Sequence, residues 1–402
     1  MNLSELYQDL HAHPELSFAE TRTAGIVASR LEELGVEVTT GVGRTGVVGV
    51  LRNGEGPIVG LRADMDALPV EEKTGLPYAS TVRAIDAEGV EVPVMHACGH
   101  DVHVTCLLGA FEELAGSRDT WSGTVVGYFQ PSEENGAGAA AMVADGVADR
   151  FPRPSVLLGQ HVAPLPAGMV SLHAGPAMAG ADSVTVTLYG AGGHGSRPEA
   201  TVDPVVAAAS VVMRLQTVVA REVAAADRVV VTVGAVQAGT KHNIIPDTAV
   251  LKLSVRTAEP RVRERVLVAI ERIIRAEAVA AGMTREPSIE YVETLPVLVN
   301  DPDTTEATRA ALAAMLGESA VIDFGAVTGS EDVGRLADGL GAPCCYWLLG
   351  GGDPELVLPA LASGDIDAIP SNHSPLFAPV IEPTLSTGVR ALVSAARHWL
   401  GA

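Results

Sequence analysis

Nine consecutive residues, Met95-His96-Ala97-Cys98-Gly99-His100-Asp101-Val102-His103, hold three of the chain's eleven histidines, one of its four cysteines and an aspartate. Thiolate, imidazole and carboxylate together form the donor set of a borderline-soft divalent cation such as zinc. Further along, Glu133-Glu134 pairs two carboxylates, His161 follows an apolar run, and His373 lies in Ser371-Asn372-His373-Ser374-Pro375. Adjacent carboxylates on a loop can aim differently, so one can bind metal while its neighbour takes a proton from water. Each signal also has a plain structural explanation: a buried cysteine beside solvated histidines, a solvated acidic turn, a satisfied core histidine. Whether the fold brings these residues to one place decides between the two.

The elements that must position them are legible as changes of hydrophobic period. Residues 91–94 predict a short strand and 104–115 a helix, with Leu107, Leu108, Phe111 and Leu114 on one apolar face. The nonapeptide then sits on a strand-to-helix turn. Upstream, 3–10 and 18–34 predict helices, and 36–39, 47–51 and 58–61 strands between Gly-rich turns. Gly41-Val42-Gly43-Arg44-Thr45-Gly46 matches the dinucleotide fingerprint by letter, but a strand follows it where a helix would have to open. Strands at 124–129 and 155–159 end in Gln130-Pro131-Ser132-Glu133-Glu134 and Gln160-His161, so the polar clusters fall at the carboxyl ends of strands, where open α/β sheets place their sites.

From about residue 183 the order becomes strand, helix, strand, strand, helix, strand, which is the ferredoxin-like unit. The expected fold is therefore α/β, with a discontinuous domain at 1–180 and 295–402 and an inserted domain at 181–294. The α/β pattern resumes with helices at 303–316, 330–336 and 383–400 and a strand at 343–349.

Composition narrows the partners. The chain has 402 residues, 47% hydrophobic and 19% charged, ample for a buried core. Its 49 Asp+Glu against 27 Lys+Arg give a formal charge of -22, which argues against nucleic acid or an anionic membrane as partner. Residues 202–220 are apolar but broken by Asp203, Arg214 and Gln216, so no membrane span is expected there. Four cysteines make no disulfide framework, and the first residues carry no apolar signal core, so the expected location is a reducing cytoplasm.

Several motifs occur in order: Asp64-Met65-Asp66-Ala67-Leu68-Pro69, residues 95–103, Gln130 to Glu134, Gly192-Gly193-His194-Gly195, Asn243-Ile244-Ile245-Pro246, Gly329-Ser330-Glu331-Asp332 and Asn372-His373-Ser374-Pro375. In this the chain resembles, over nearly its whole length, the dinuclear metal amidohydrolases that include hippurate hydrolase, bacterial aminoacylases and plant auxin-conjugate hydrolases. The resemblance implies a zinc-peptidase-like catalytic domain and a ferredoxin-like lid and dimerisation domain. It implies two divalent ions, zinc or manganese, held by Cys98, His100, Glu134, His161 and His373. Glu133 matches the general base, and Asp66 a residue that orients a ligand. Asp64 stands where the wider superfamily has a histidine ligand, and Cys98-His100 supplies what that replacement removes. His194 would donate to the developing oxyanion. Asn243 and Arg256 would bind the free carboxylate of an amino-acid product. Asn135 and Glu199 depart from the commoner glycine and histidine without removing a ligand.

The implied activity is cleavage of the amide bond of N-acyl-L-amino acids by a homodimer. The alternatives are a dipeptidase or carboxypeptidase of the same metal family, a cysteine hydrolase using Cys98, and a non-catalytic binding protein. A Gly-x-Ser-x-Gly elbow is absent, which argues against a serine hydrolase.

Overall fold

A computed structural model describes residues 2–400 and divides the chain into two compact units. The first comprises residues up to Gly175, Val299–Gly325 and the chain from Asp332 onward; the second comprises Pro176–Leu298 and Ala326–Glu331.

The first unit is built on an eight-stranded mixed sheet. Its order is Glu37–Val42, Gly46–Asn53, Gly123–Gln130, Ile58–Asp64, Val156–Pro166, Cys344–Gly352, Val170–Ser171 and Val321–Ile322. The four strands Gly123–Gln130, Ile58–Asp64, Val156–Pro166 and Cys344–Gly352 run parallel to one another, so their carboxyl ends lie along one edge. Every residue of Gly123–Gln130 is buried. A parallel strand covered on both faces needs such an unbroken apolar run. Residues 41–46 form the turn of an antiparallel hairpin, in line with the rejected dinucleotide reading.

Helix His100–Gly116 is buried at thirteen of its seventeen residues, because it is wedged between the sheet and the helices Leu3–Ala12 and Ile381–Leu400. Phe111 packs on Phe129 with ring centroids 6.4 Å apart. A side chain at Gly127 would sit 2.6 Å from the Phe111 ring, so only glycine admits that approach.

Two helices in the first part of the chain start earlier or later than expected. The helix begins at His100, not at 104, so two histidines of the nonapeptide occupy its first turn. The helix expected at 18–34 runs Thr21–Glu33, because Phe18 takes φ +60° and cannot belong to it. Its first turn is capped from outside: Glu15 accepts from the N–H groups of Arg22 (2.9 Å) and Thr23 (2.8 Å).

The second unit has four antiparallel strands in the order Val229–Ala238, Thr248–Thr257, Gly180–Tyr189, Ser288–Leu295. With helices Pro204–Thr217 and Pro260–Ala280 this is the ferredoxin-like arrangement. Thr248–Thr257 alternates buried and exposed, since the helices cover one face only. Length and composition alone would let Pro204–Glu222 cross a membrane. Its buried stripe Pro204, Ala207, Ala208, Val211 and Leu215, packed on the sheet, is that of a core helix.

Candidate metal centre

The parallel strands deliver the polar residues to one edge of the first unit. Asp64 ends one strand, Gln130 ends the next and leads to Ser132-Glu133-Glu134, and His161 lies within a third. Cys98 and His100 flank Gly99, the N-cap of the long helix, at φ +82°. A Cβ there would meet Val162 at 2.3 Å, so glycine is required for both the handedness and the space. Two hydrogen bonds of Asn372 draw the last loop in: its amide donates to the carbonyls of Cys98 and Val162, each at 3.1 Å. The N–H of His373, at φ +69°, donates to Ala97 at 2.7 Å.

Two groups of donors are built on Cys98. Cys98, His100 and His161 offer atoms within 4.8 Å of one another, and so do Cys98, Glu134 and His373. The groups share Cys98. Its sulfur lies 3.4 Å from His161 Nε2, and His373 Nε2 lies 3.4 Å from a Glu134 oxygen. His100 Nε2 stands 3.9 Å from Glu133 and 3.8 Å from Glu134. His100 Nε2 and Glu134 Oε1 make no hydrogen bond, although both are buried. Orphaned buried polar atoms are rare and costly unless something pairs with them. The sulfur, nitrogen and oxygen donors converging here fit divalent cations.

The electrostatics agree with that fit. Burial pushes Glu134 up to about 8, against the pull of His100. Burial, then the Glu134 and Glu133 carboxylates, push the Cys98 thiol well above its usual range. Burial, then His103, hold His161 well below the usual histidine range. Burial would lower His100, but Asp64 and Asp66 outweigh it and raise it to about 10. Acidic donors crowded in a dry site lose their protons most readily to a bound cation.

Asp66 holds the Glu pair. Its two oxygens accept from the N–H groups of Glu133 (3.0 Å) and Glu134 (3.1 Å), and it faces His100 Nδ1 at 3.3 Å. His103 falls within reach of Asp64 and His100 in a further grouping. Both of its nitrogens are already engaged, one with the Asp64 carboxylate and Nε2 with the N–H of Val162 at 2.7 Å. It therefore fixes the backbone beside His161 and is no ligand. Asp64 is likewise committed, to His103 and to Arg62 at 2.7 Å. Arg62, fully buried, also reaches Gln130 and Asp332. Sequence reasoning assigned no role to Arg62 or Glu20; Gln130 and Asp332 lie 68 and 270 residues from Arg62, and Ser132 lies 112 from Glu20, too far along the chain to leave a local pattern.

His194, Asn243 and Arg256 belong to the second unit and are exposed. His194 and Asn243 come together on a two-stranded ribbon, where His194 pairs with Ile244 and Gly195 donates to the Asn243 carbonyl at 2.9 Å. Nδ1 of His194 accepts from the N–H of Ser196 at 3.1 Å, which assigns the proton to Nε2 and makes that nitrogen a donor. Arg256 lies eight residues along the strand from Thr248, about 26 Å at 3.3 Å per residue, and donates to Ser330 at 2.6 Å. Within one chain the structure does not place it beside Asn243.

Known proteins resemble this chain in sequence and fold. A sequence profile of Peptidase family M20/M25/M40 matches residues 60–363. A thermostable carboxypeptidase of Saccharolobus solfataricus is 36% identical over 86% of this chain and 85% of its own length. The hippurate hydrolase of Campylobacter jejuni is 38% identical over 82% of this chain and 83% of its own. A dinuclear metal-binding peptidase of the M20 family from Bacillus subtilis superposes with a TM-score of 0.79 at 30% identity, covering 99% of this chain and 98% of that one. Profile, relatives and a donor set for more than one cation agree: the chain belongs to Peptidase family M20/M25/M40 and is a metal-dependent hydrolase of amide bonds.

Proposed function

We propose that the protein cleaves the amide bond of N-acyl-L-amino acids, releasing a carboxylic acid and a free amino acid. The observation that carries this is the Glu133-Glu134 corner. Glu134 stands 3.4 Å from His373, while Glu133, buried beside it, faces the same site without belonging to the Cys98 groups. Cys98, His100, Glu134, His161 and His373 are the proposed ligands. When bound, two divalent cations, zinc or manganese, would supply Lewis acidity there, lowering the pKa of a water to about 7 and polarising the scissile carbonyl. Glu133 takes a proton from the attacking water and returns it to the leaving amine. Asp66 keeps both glutamates in place through their N–H groups. A buried Cys98 thiol whose pKa is raised, beside a His161 whose pKa is lowered, makes a poor nucleophile pair, which favours the metal reading over the cysteine one.

His194 is the proposed oxyanion donor, through Nε2. Asn243 shares its ribbon and so serves whichever site His194 serves. Arg256 would bind the substrate carboxylate. The proposed assembly is a homodimer in which the partner's His194 completes the site, formed through the second unit. Its edge strand Val229–Ala238 leaves one side unpaired, with Val230 and Val236 exposed. A reducing cytoplasm is the proposed location, since Cys98 ligates only as a thiolate.

A carboxypeptidase among the relatives supports a second reading, hydrolysis of peptides at a free carboxyl terminus. The test is a release assay over N-acetyl, N-benzoyl and longer N-acyl amino acids alongside dipeptides, with zinc or manganese. Turnover of N-acyl amino acids ahead of dipeptides is expected. Turnover of dipeptides alone would establish the second reading instead.

A further inference from the structure

Three consecutive N–H groups at the glutamate corner donate to buried carboxylates. Glu133 and Glu134 donate to Asp66, and Ser132 donates to Glu20 Oε1 at 2.8 Å. Glu20 is fully buried and comes from a segment that lies 112 residues away in sequence. The same Oε1 accepts from the N–H of Phe18 at 2.9 Å, and the other oxygen accepts from the Thr45 hydroxyl. One carboxylate thus ties together the loop before helix Thr21–Glu33, the hairpin turn at 41–46 and the corner that carries Glu133.

The backbone explains why such a tie is needed. Ser132 has φ +52° and Phe18 φ +60°, a region that side chains other than glycine and asparagine rarely adopt. Both residues point their N–H groups at Glu20, so the carboxylate stabilises two unfavourable conformations at once. Next to it, Ser17 donates to Asp66 at 2.6 Å, and Ala67 donates to the carbonyl of Glu15 at 2.8 Å. Residues 15–20 are therefore the bed on which residues 132–134 rest.

We propose that Glu20 is a positioning residue for the reaction: by holding Ser132 in its left-handed conformation it sets the aim of Glu133. This rests on Glu133 being the base. The Glu20 carboxylate bonds Phe18, Thr45 and Ser132, none of them a proposed ligand, so its effect falls on the rate of the chemical step and leaves metal binding intact. A misplacement of about 1 Å in a reacting group can cost on the order of a hundredfold in rate.

The test uses metal-saturated, full-length Glu20→Ala, Glu20→Asp and Glu20→Gln. The measurements are kcat and KM on the best N-acyl amino acid, metal per chain and thermal unfolding. In Glu20→Ala, kcat is expected to fall by about ten- to a hundredfold, with KM changed by less than about threefold and metal per chain unchanged. The amide oxygen of Glu20→Gln can still accept from Ser132 and Phe18, so this variant should recover most of the rate. Should Glu20→Ala not fold, Glu20→Asp carries the test. It keeps the charge but is one methylene short, and the same fall in kcat at full metal is expected. Unchanged kcat in folded variants, or a fall that only tracks lost metal or lost folded protein, would overturn the proposal. A wild-type protein that hydrolyses no N-acyl amino acid would instead reject the proposed function.

Discussion

In the first unit the strand Gly123–Gln130 is buried along its whole length, whereas Thr248–Thr257 in the second alternates between buried and exposed. The chemistry-bearing residues follow the same division. His100, Glu133 and His161 are buried at the edge of a sheet covered on both faces, while His194, Asn243 and Arg256 stand in water. A dry, packed edge fixes side chains and strengthens every charge interaction made there. A one-sided sheet offers its residues to whatever covers them. The first unit therefore gathers its donors by itself, whereas the roles proposed for the residues of the second require another surface to meet them.

Removing one buried carboxylate should have the largest effect. Glu133→Gln keeps the shape but cannot take a proton, and turnover is expected to fall about a hundredfold or more with metal retained. Glu134→Gln should lose metal instead. Kinetics and elemental analysis on the two variants check this, and exchanged phenotypes would reverse the roles within the pair.

The exposed side of the comparison is tested by mixing. Cys98→Ala and His194→Ala should each be nearly inactive. Unfolded and refolded together, about half of the dimers are mixed and each has one intact site of two, so activity should return to about a quarter of wild type. If mixed dimers form without recovery, His194 works in its own chain or outside catalysis.

A smaller effect is expected from a buried histidine that does no chemistry. His11 bonds Asp101 at 2.6 Å and Glu72 at 3.1 Å. Burial would lower its pKa, but Asp101 and then Glu72 outweigh burial and raise it to about 10. The folded value lies above the unfolded one, near 6.5. The stabilisation is therefore complete below about pH 6.5 and is lost as pH rises through about 10. The gap in melting temperature between wild type and His11→Gln should be wider at pH 6.5 than at pH 9.5. An equal gap at both would remove the charged pair from the account.

Much of this division was legible in the sequence. Apolar runs leading into Gln130 and His161 marked two strands and their polar ends, and the alternating strands with two long helices marked the ferredoxin-like unit. What was not legible depends on distant partners. Glu20 falls inside the helix expected at 18–34, where nothing local marks it; its hydrogen bonds come in part from Thr45 and Ser132, 25 and 112 residues away. His103 reads as a possible ligand until Asp64 and Val162, 39 and 59 residues away, take both its nitrogens. Asp332 was expected inside a helix from 330. The helix starts at Val333, and the Asp332 carboxylate serves Arg62, Gln130 and the N–H of Ala139.

The central claim is that the buried edge of the first unit hydrolyses amides with bound metal. Elemental analysis of protein saturated with zinc or manganese and then desalted tests it most directly, paired with turnover before and after chelation. The expected result is about two ions per chain, with activity lost on chelation and restored on reloading. A ratio near zero with activity intact would contradict the account.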